Sequence, residues 1–342
     1  MIIQYYAGMP ELPEVQTTVN GLRQTVVGLR ITDVWSDYDS PYFEGSGTIK
    51  DPLYFKYFKK IAAGQKIVSA DRRAKNVLIN LSNGLTILVH MKMTGHLLYG
   101  KYHFNTVQKA ASGQEKSVVA NKKESWTPIE PESLKDPFNR HIHFVLTFSN
   151  GKHLALSDMR KFAKVTMIET GKLDVVDSNK KSGHYSRSEH LKNIGPEPLE
   201  KSFTLKRFTE RLNLREHGKI KQVLMDQSII AGIGNIYADE SLWRAGIHPL
   251  ERVENIPLTK MKLLFTAIKK TLARGIDLGG DSMSDYRNIR GERGRFQEHH
   301  RAYRKTGERC ERRGCGGTIQ RVMIGARSAH FCGKHQKLSK AK

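Results

Sequence analysis

A proline directly behind a methionine, with a glutamate beside it, is the part of this 342-residue chain whose residue types and spacing can do the least common chemistry: Met9-Pro10-Glu11-Leu12-Pro13-Glu14. Translation from Met9 and trimming of that methionine would leave Pro10 as a free secondary amine, and this start is the one expected. An α-amino group has an ordinary pKa of about 8, so a useful fraction is neutral near physiological pH. A neutral secondary amine condenses with a sugar carbonyl carbon to give a charged iminium. Glu11 stands next to it as a proton donor. In the chain as written, Met1 to Gly8 precede Met9, and an amide nitrogen at Pro10 is neither basic nor nucleophilic. The same residues also open a helix, since Pro13 suits a first turn and Val15, Val19 and Leu22 then recur at helical spacing.

The second constellation is at the other end of the chain. All three cysteines fall between 310 and 332, as Cys310-x4-Cys315 and then Cys332-x2-His335. Three thiolates and one imidazole complete the closed tetrahedral shell of a structural zinc, so one Zn2+ that folds a small module is expected. So few cysteines in one cluster argue for reduced thiols and a cytoplasmic protein rather than a disulfide framework. Arg321, Arg327 and Lys334 put cations on the same module, suited to phosphate contacts. Between the two ends, Gly232-Ile233-Gly234-Asn235 joins two helical segments; its glycines let backbone N–H groups approach a phosphate, and a plain helix cap is the competing reading.

Charge narrows the partner. Lys and Arg total 57 against 34 Asp and Glu, a formal net charge of +23 with a pI near 9.9. An imbalance of that size favours a polyanion and makes binding strongly salt dependent. No apolar run approaches the roughly 20 residues needed to span a bilayer, so a membrane partner is not expected.

The elements that must position these groups change character near the middle of the chain. Ile67 to Leu81 and Leu85 to Leu98 alternate and join through Ser82-Asn83-Gly84, and the pattern returns on either side of Ser149-Asn150-Gly151. With strands near Ile31 to Trp35 and Lys164 to Ile168, they predict an antiparallel sandwich packed against a helix at 11 to 24. Gly100 to Asn139 is basic and aperiodic and reads as a surface insertion. Beyond Ser202 the period is helical at Phe203 to Leu212, Ile220 to Asp226, Tyr237 to Ala245 and Leu258 to Arg274, the last closed by Gly275. The polar stretch ending Gly195-Pro196-Glu197-Pro198 reads as a linker. The expectation is an α+β chain: a β-sandwich domain over 9–180 with an insertion at 101–138, a helical domain over 195–298, and a zinc-binding β-hairpin over 299–342.

The motifs Met9-Pro-Glu-Leu-Pro-Glu14, Arg72-Arg-Ala-Lys75, His90-Met-Lys-Met-Thr-Gly95, Asp158-Met-Arg-Lys-Phe162, Gly195-Pro-Glu-Pro198, Gly232-Ile-Gly-Asn-Ile-Tyr237, Gly294-Arg-Phe-Gln297 and Arg327-Ser-Ala-His-Phe-Cys332 closely resemble those of formamidopyrimidine-DNA glycosylase, a bifunctional base-excision repair family. The resemblance runs from Met9 to Lys337. It implies a β-sandwich, a helix-two-turns-helix domain and a zinc finger, with damaged double-stranded DNA held between them by a monomer. It implies Pro10 as nucleophile at C1′, Glu11 as acid, Lys75 as the catalytic lysine near a phosphate, and Arg327 as the arginine of a second elimination. Met93, Arg160 and Phe162 resemble the triad that fills the gap left by an extruded base. His141, Asn235 and Lys221 are implied as phosphate contacts, and Asp281 to Arg290 as a lid that orders on binding. Leu12 and the triad point to oxidised purines, 8-oxoguanine and formamidopyrimidines, followed by β,δ-elimination. Two alternatives stand beside this: a lesion-binding protein without chemistry if the extension stays on, and an endonuclease VIII-like enzyme for oxidised pyrimidines.

Overall fold

The structure is a computed structural model and describes residues 9–38, 40–107, 123–170 and 191–339. Helix α1 (Leu12–Thr25) begins where Pro13 occupies the first turn, and the Glu11 N–H donates to the Glu14 carboxylate at 2.7 Å. That bond satisfies one of the donors a helix start leaves open. The apolar stripe of α1, Val15, Val19 and Leu22, is fully buried against two antiparallel sheets.

One sheet has the order β2 (Ile67–Arg73), β3 (Asn76–Leu81), β4 (Leu85–His90), β9 (Lys164–Glu169). The other has the order β1 (Ile31–Ser36), β7 (Ile142–Phe148), β8 (His153–Ser157), β5 (His96–Val107), β6 (Lys123–Glu130). Their facing residues, among them Ile79, Val89, Phe144 and Leu146, form the first core, closed on one side by Phe58 of α2 (Pro52–Ala62). Gly84 and Gly151 take the positive φ that the two Asn-Gly turns demand.

Two boundaries differ from expectation. Ile67 to Leu81 is two strands rather than one, folded back at Ala74 and Lys75, with Ala74 at φ 52°. The segment after Gly100 is not aperiodic throughout: β5 runs on to Val107 and pairs with β6, and the short turns at Glu132–Lys135 and Pro137–Asn139 carry buried Leu134 against Leu98, Tyr102 and Val145. This hairpin covers the outer face of the five-stranded sheet. Its polar residues point to solvent and mask the alternation, and its central residues, 108–122, lie outside those described.

The second core belongs to helices α3 (Leu205–Asn213), α4 (Ile220–Met225), α5 (Asn235–Ala245) and α6 (Leu258–Asp277). Leu12 from the amino end is part of it, so α1 is shared by both halves. Helix α6 passes beyond Gly275 instead of ending there. The glycine is needed inside the helix because a Cβ would come within 2.6 Å of the Tyr237 ring. The last unit is the hairpin β10 (Ile319–Ile324) and β11 (Arg327–Cys332).

Of the expected linker, 171–190 lies outside the described residues, but Gly195-Pro196-Glu197-Pro198 is tied down. Gly195 donates to the Gln227 carbonyl at 2.8 Å, Pro196 accepts from Ala231 at 3.0 Å, and Glu197 pairs with Arg72 at 2.6 Å and Arg73 at 3.0 Å.

Candidate active site in the interdomain cleft

A cleft of about 1260 Å³ opens between the sandwich and the helical unit, with Met9, Glu11, Lys75, His90, Met93, Arg160, Asn235 and Arg327 in its walls. Five segments that are remote in sequence converge there, around residues 9–11, 75–93, 160, 235 and 327.

Glu11 is buried, and its carboxylate sits on the amino end of α5. Oε2 accepts from Gly234 N at 2.6 Å and Oε1 from Ile236 N at 2.9 Å. The N–H groups of Gly234 and Ile236 in the glycine turn are therefore taken by the Glu11 carboxyl and not offered to a nucleic-acid phosphate. Gly232 spends its N–H on Gln227 Oε1 at 2.8 Å, and its own carbonyl accepts from Leu12 at 3.0 Å. Burial pushes the Glu11 pKa up, opposed by Lys75 and by the three backbone donors at Ile236, Gly234 and Tyr237. Pro10 is buried beside it, and Met9, bonded to the Pro10 nitrogen, lines the cleft.

Lys75 projects from the β2–β3 turn. Glu197 holds this turn by accepting from Ala74 N at 2.6 Å while it pairs with the two preceding arginines. Burial lowers the Lys75 pKa, Glu11 and Glu14 oppose that, and Arg327 adds to it. An ammonium whose pKa burial lowers, beside a buried carboxyl, is the arrangement expected where protons must move. His90 borders the same space; burial and the neighbouring Lys92 and Lys75 press its pKa down to about 3, so it is neutral at working pH.

The expected gap-filling residues form one unit. The Arg160 guanidinium lies 4.6 Å over the Phe162 ring and 3.5 Å from Met93 Sδ. Met93 and Arg160 line the cleft, and Phe162 is 48% exposed. Sequence reading missed the residue that builds this unit, buried Asp158. It accepts from Thr94 Oγ1, from Tyr38 OH at 2.9 Å and from Ala163 N at 2.7 Å, so it fixes the Met93 turn and the Arg160 turn together. His141 is partly exposed on the same side, and its carbonyl accepts from Asp158 N at 2.8 Å.

Lys221 requires a correction. Its side chain is 1% exposed, and Nζ donates to Asp239 at 2.6 Å and to the Ser328 carbonyl at 2.6 Å, so it is not offered to a phosphate. Asp239 also accepts from His330 N at 2.9 Å, and Glu240 accepts from the N–H groups of Arg301, Ala302 and Tyr303. Asp239 thus clamps β11, Glu240 holds the segment that leads to the hairpin, and Arg327, exposed at the hairpin turn, lines the cleft. The segment Asp281 to Arg290 is also more fixed than expected. Asp281 N donates to Glu14 at 2.7 Å, Tyr286 OH to the Glu14 carbonyl at 2.9 Å, and Arg287 pairs with Asp136 at 3.1 Å. Met283 and Ser284 are the residues of this segment that reach the cleft.

Cys310, Cys315, Cys332 and His335 come together as expected, with their ligand atoms all within 4.8 Å of one another. His335 Nδ1 faces Cys315 Sγ at 3.4 Å and Cys310 Sγ at 3.6 Å, while Nε2 is committed to the Trp243 carbonyl at 3.1 Å. An imidazole fixed through its far nitrogen and facing three thiols fits one tetrahedral metal.

Such a fold and cleft define a class: a two-unit protein whose cleft, between a β-sandwich and a helical platform, gathers buried carboxyl and amine groups and is bordered by a hairpin with a metal-fitting cluster. Profiles described as the formamidopyrimidine-DNA glycosylase N-terminal domain and the formamidopyrimidine-DNA glycosylase H2TH domain match residues 9–165 and 194–287. A formamidopyrimidine-DNA glycosylase of Herpetosiphon aurantiacus is 36% identical over 324 residues, covering 95% of this chain and 98% of its own length. The wild-type Lactococcus lactis Fpg in complex with DNA containing N7-benzyl-Fapy-dG superposes with a TM-score of 0.71 at 29% identity, covering 96% of this chain and all of that one. MutM in complex with DNA containing carbocyclic 8-oxo-G gives 0.69 at 29% identity, with 96% and 100% covered. The chain belongs to the formamidopyrimidine-DNA glycosylase family, and it is a DNA glycosylase of base excision repair with AP lyase activity.

Proposed function

We propose that this enzyme acts as a monomer on damaged duplex DNA, removes oxidised purines such as 8-oxoguanine and formamidopyrimidines, and then cuts the strand by β,δ-elimination through an imine on Pro10. The observation that carries this reading is the convergence on one cleft of Met9, Glu11, Lys75 and Arg327, with buried Pro10 between the first two in the chain and the Met93-Arg160-Phe162 unit at the rim. The relatives bound to Fapy-dG and 8-oxo-G derivatives support the purine assignment.

The Pro10 nitrogen lone pair forms the N–C1′ bond as the damaged base departs with the glycosidic electron pair and a proton. Glu11, whose raised pKa keeps a proton available, gives that proton to the ring oxygen as the sugar opens to the iminium. The cation acidifies the C2′ proton. Loss of that proton expels the 3′ phosphate, and a second elimination expels the 5′ phosphate; Lys75 and Arg327 hold the phosphates. A single zinc on Cys310, Cys315, Cys332 and His335 supplies folding energy to the hairpin and takes no part in bond breaking.

This chemistry requires Pro10 to carry the free amine. The test is borohydride trapping on a duplex with 8-oxoguanine opposite cytosine, comparing a chain that starts at Met9 with one that starts at Met1. A covalent complex from the Met9 form alone is expected. No complex from either, with duplex binding intact, would leave a lesion binder without chemistry; preferential trapping on an oxidised pyrimidine would point to the endonuclease VIII-like specificity.

A further inference from the structure

Outside the cleft, the turn Pro41–Phe43 holds two adjacent aromatic rings in solvent: Tyr42 is 96% exposed and Phe43 42% exposed. Single exposed apolar residues are ordinary, but neighbouring rings on a rigid support mark a contact surface. The support here is rigid. Ser40 N donates to the Lys50 carbonyl at 3.0 Å, Phe43 N to Ser40 at 3.0 Å, and Gly45 N to Asp51 Oδ2 at 2.8 Å, while the same Asp51 caps α2.

Lys50 connects this turn to the wedge. Its ammonium lies 5.0 Å from the Phe43 ring centroid and 5.4 Å from that of Tyr38, and it donates to the Lys161 carbonyl at 2.6 Å. Lys161 is the residue between Arg160 and Phe162. A chain of contacts therefore runs outward from Met93 through Arg160 and the Lys161 peptide to Lys50 and Phe43. The charges acting on Lys50 are Asp158 first and then Lys92, so the turn's ammonium sits between a buried carboxylate and a second cation. Cations on a stiff loop beside exposed rings match the make-up of surfaces that bind unpaired nucleotides, where the rings stack on bases and the cations meet the backbone.

We propose that the Pro41–Phe43 turn, braced by Lys50, extends the wedge into a second grip on the DNA strand opposite the lesion, with the Tyr42 ring stacking on a nucleotide that flanks the orphaned base. This rests on the reading of the cleft as a lesion site. It assigns to the turn a share of affinity for the intact strand and none of the chemistry.

The test measures affinity of the enzyme, with Tyr42→Ala, Tyr42→Phe and Tyr42→Ala/Phe43→Ala, for a duplex carrying a stable abasic analogue and for the lesion strand alone. In parallel, 2-aminopurine is placed in the intact strand beside the orphaned base. Removing one stacking ring is expected to weaken duplex binding about tenfold. Single-strand binding stays unchanged, Tyr42→Phe behaves as the parent protein, and the aminopurine signal altered by the parent is lost in Tyr42→Ala. Exposure of Tyr42 keeps folding out of the comparison, and an unchanged melting temperature checks this. Duplex affinity and aminopurine signal that do not respond to Tyr42→Ala would overturn the proposal while leaving the cleft assignment standing. Failure of the parent protein to prefer the analogue duplex over an undamaged one would instead remove the lesion-site reading on which it depends.

Discussion

Gly234 holds its N–H 2.6 Å from the carboxylate of Glu11, a residue 223 positions earlier in the chain. The contact joins the amino end of α1 to the start of α5. It also explains the glycine, since a Cβ there would stand 2.5 Å from Glu11 Cδ. Gly234→Ala is expected to displace the carboxyl from the cleft wall and lower the single-turnover rate of base release by about a hundredfold, the lower range for loss of a positioned acid. DNA affinity, read in parallel, should change little. A rate within a few-fold of the parent would show that Glu11 is not held by this turn.

Glu14 gives a stability signature in pH. It is buried next to Glu11 and Asp281, and burial first, then Glu11, raises its pKa from 4.5 to about 8. A carboxyl whose folded pKa is raised binds more protons folded than unfolded. The fold therefore loses stability as pH climbs from the unfolded value of 4.5 towards 8. Glu14→Gln, which cannot ionise, should flatten the fall in melting temperature between pH 5 and 8, and the difference corresponds to no more than about 5 kcal/mol. Parallel pH profiles for both proteins would refute this assignment.

Lys221 and Asp239 form a buried ion pair that also holds β11, through the Ser328 carbonyl and His330 N. Removing one partner strands the other charge, at a cost of about 3–5 kcal/mol. Asp239→Leu should therefore be much less stable than the parent in denaturant titration. Lys221→Met/Asp239→Leu should recover most of the loss in stability but not the loss in DNA cleavage, because Arg327 would no longer be fixed against the cleft. Equal cleavage by the double variant and the parent would assign the pair to stability alone.

What the sequence made legible was local. Pro10-Glu11 and the cysteine-histidine spacing are short patterns whose chemistry needs only neighbours in the chain, and the Asn-Gly turns announce their own hairpins. The residues that escaped notice act across the fold. Asp158 gains its role from Thr94 and Tyr38, and Glu197 gains its own from Arg72 and Arg73. A lone Lys221 in a basic chain looks like a phosphate contact until burial places Asp239 opposite it. The glycine turn shows the limit most clearly: its sequence offers either a phosphate cradle or a helix cap, and only the fold shows that its N–H groups go to the Glu11 carboxyl.

Loss of a metal held by the cysteine-histidine cluster should separate the hairpin from the rest of the enzyme. Trp243 of α5 donates Nε1–H to Cys310 Sγ at 3.3 Å and accepts from His335 Nε2 through its carbonyl at 3.1 Å, so the cysteine cluster docks directly on the helical platform. Cys310, Cys315 and Cys332 make up most of the small core that they form with Ala302 and Ile319. Chelation, or Cys315→Ser, should release one zinc per chain by elemental analysis and uncouple β10–β11 from α5. Arg327 would then leave the cleft, and both duplex affinity and strand cleavage should fall at least about tenfold. The sandwich core shares no side chain with this cluster, so its amide protection in hydrogen exchange should persist while that of β10 and β11 is lost. Protection that vanished from both regions together would show instead that the metal module supports the whole fold.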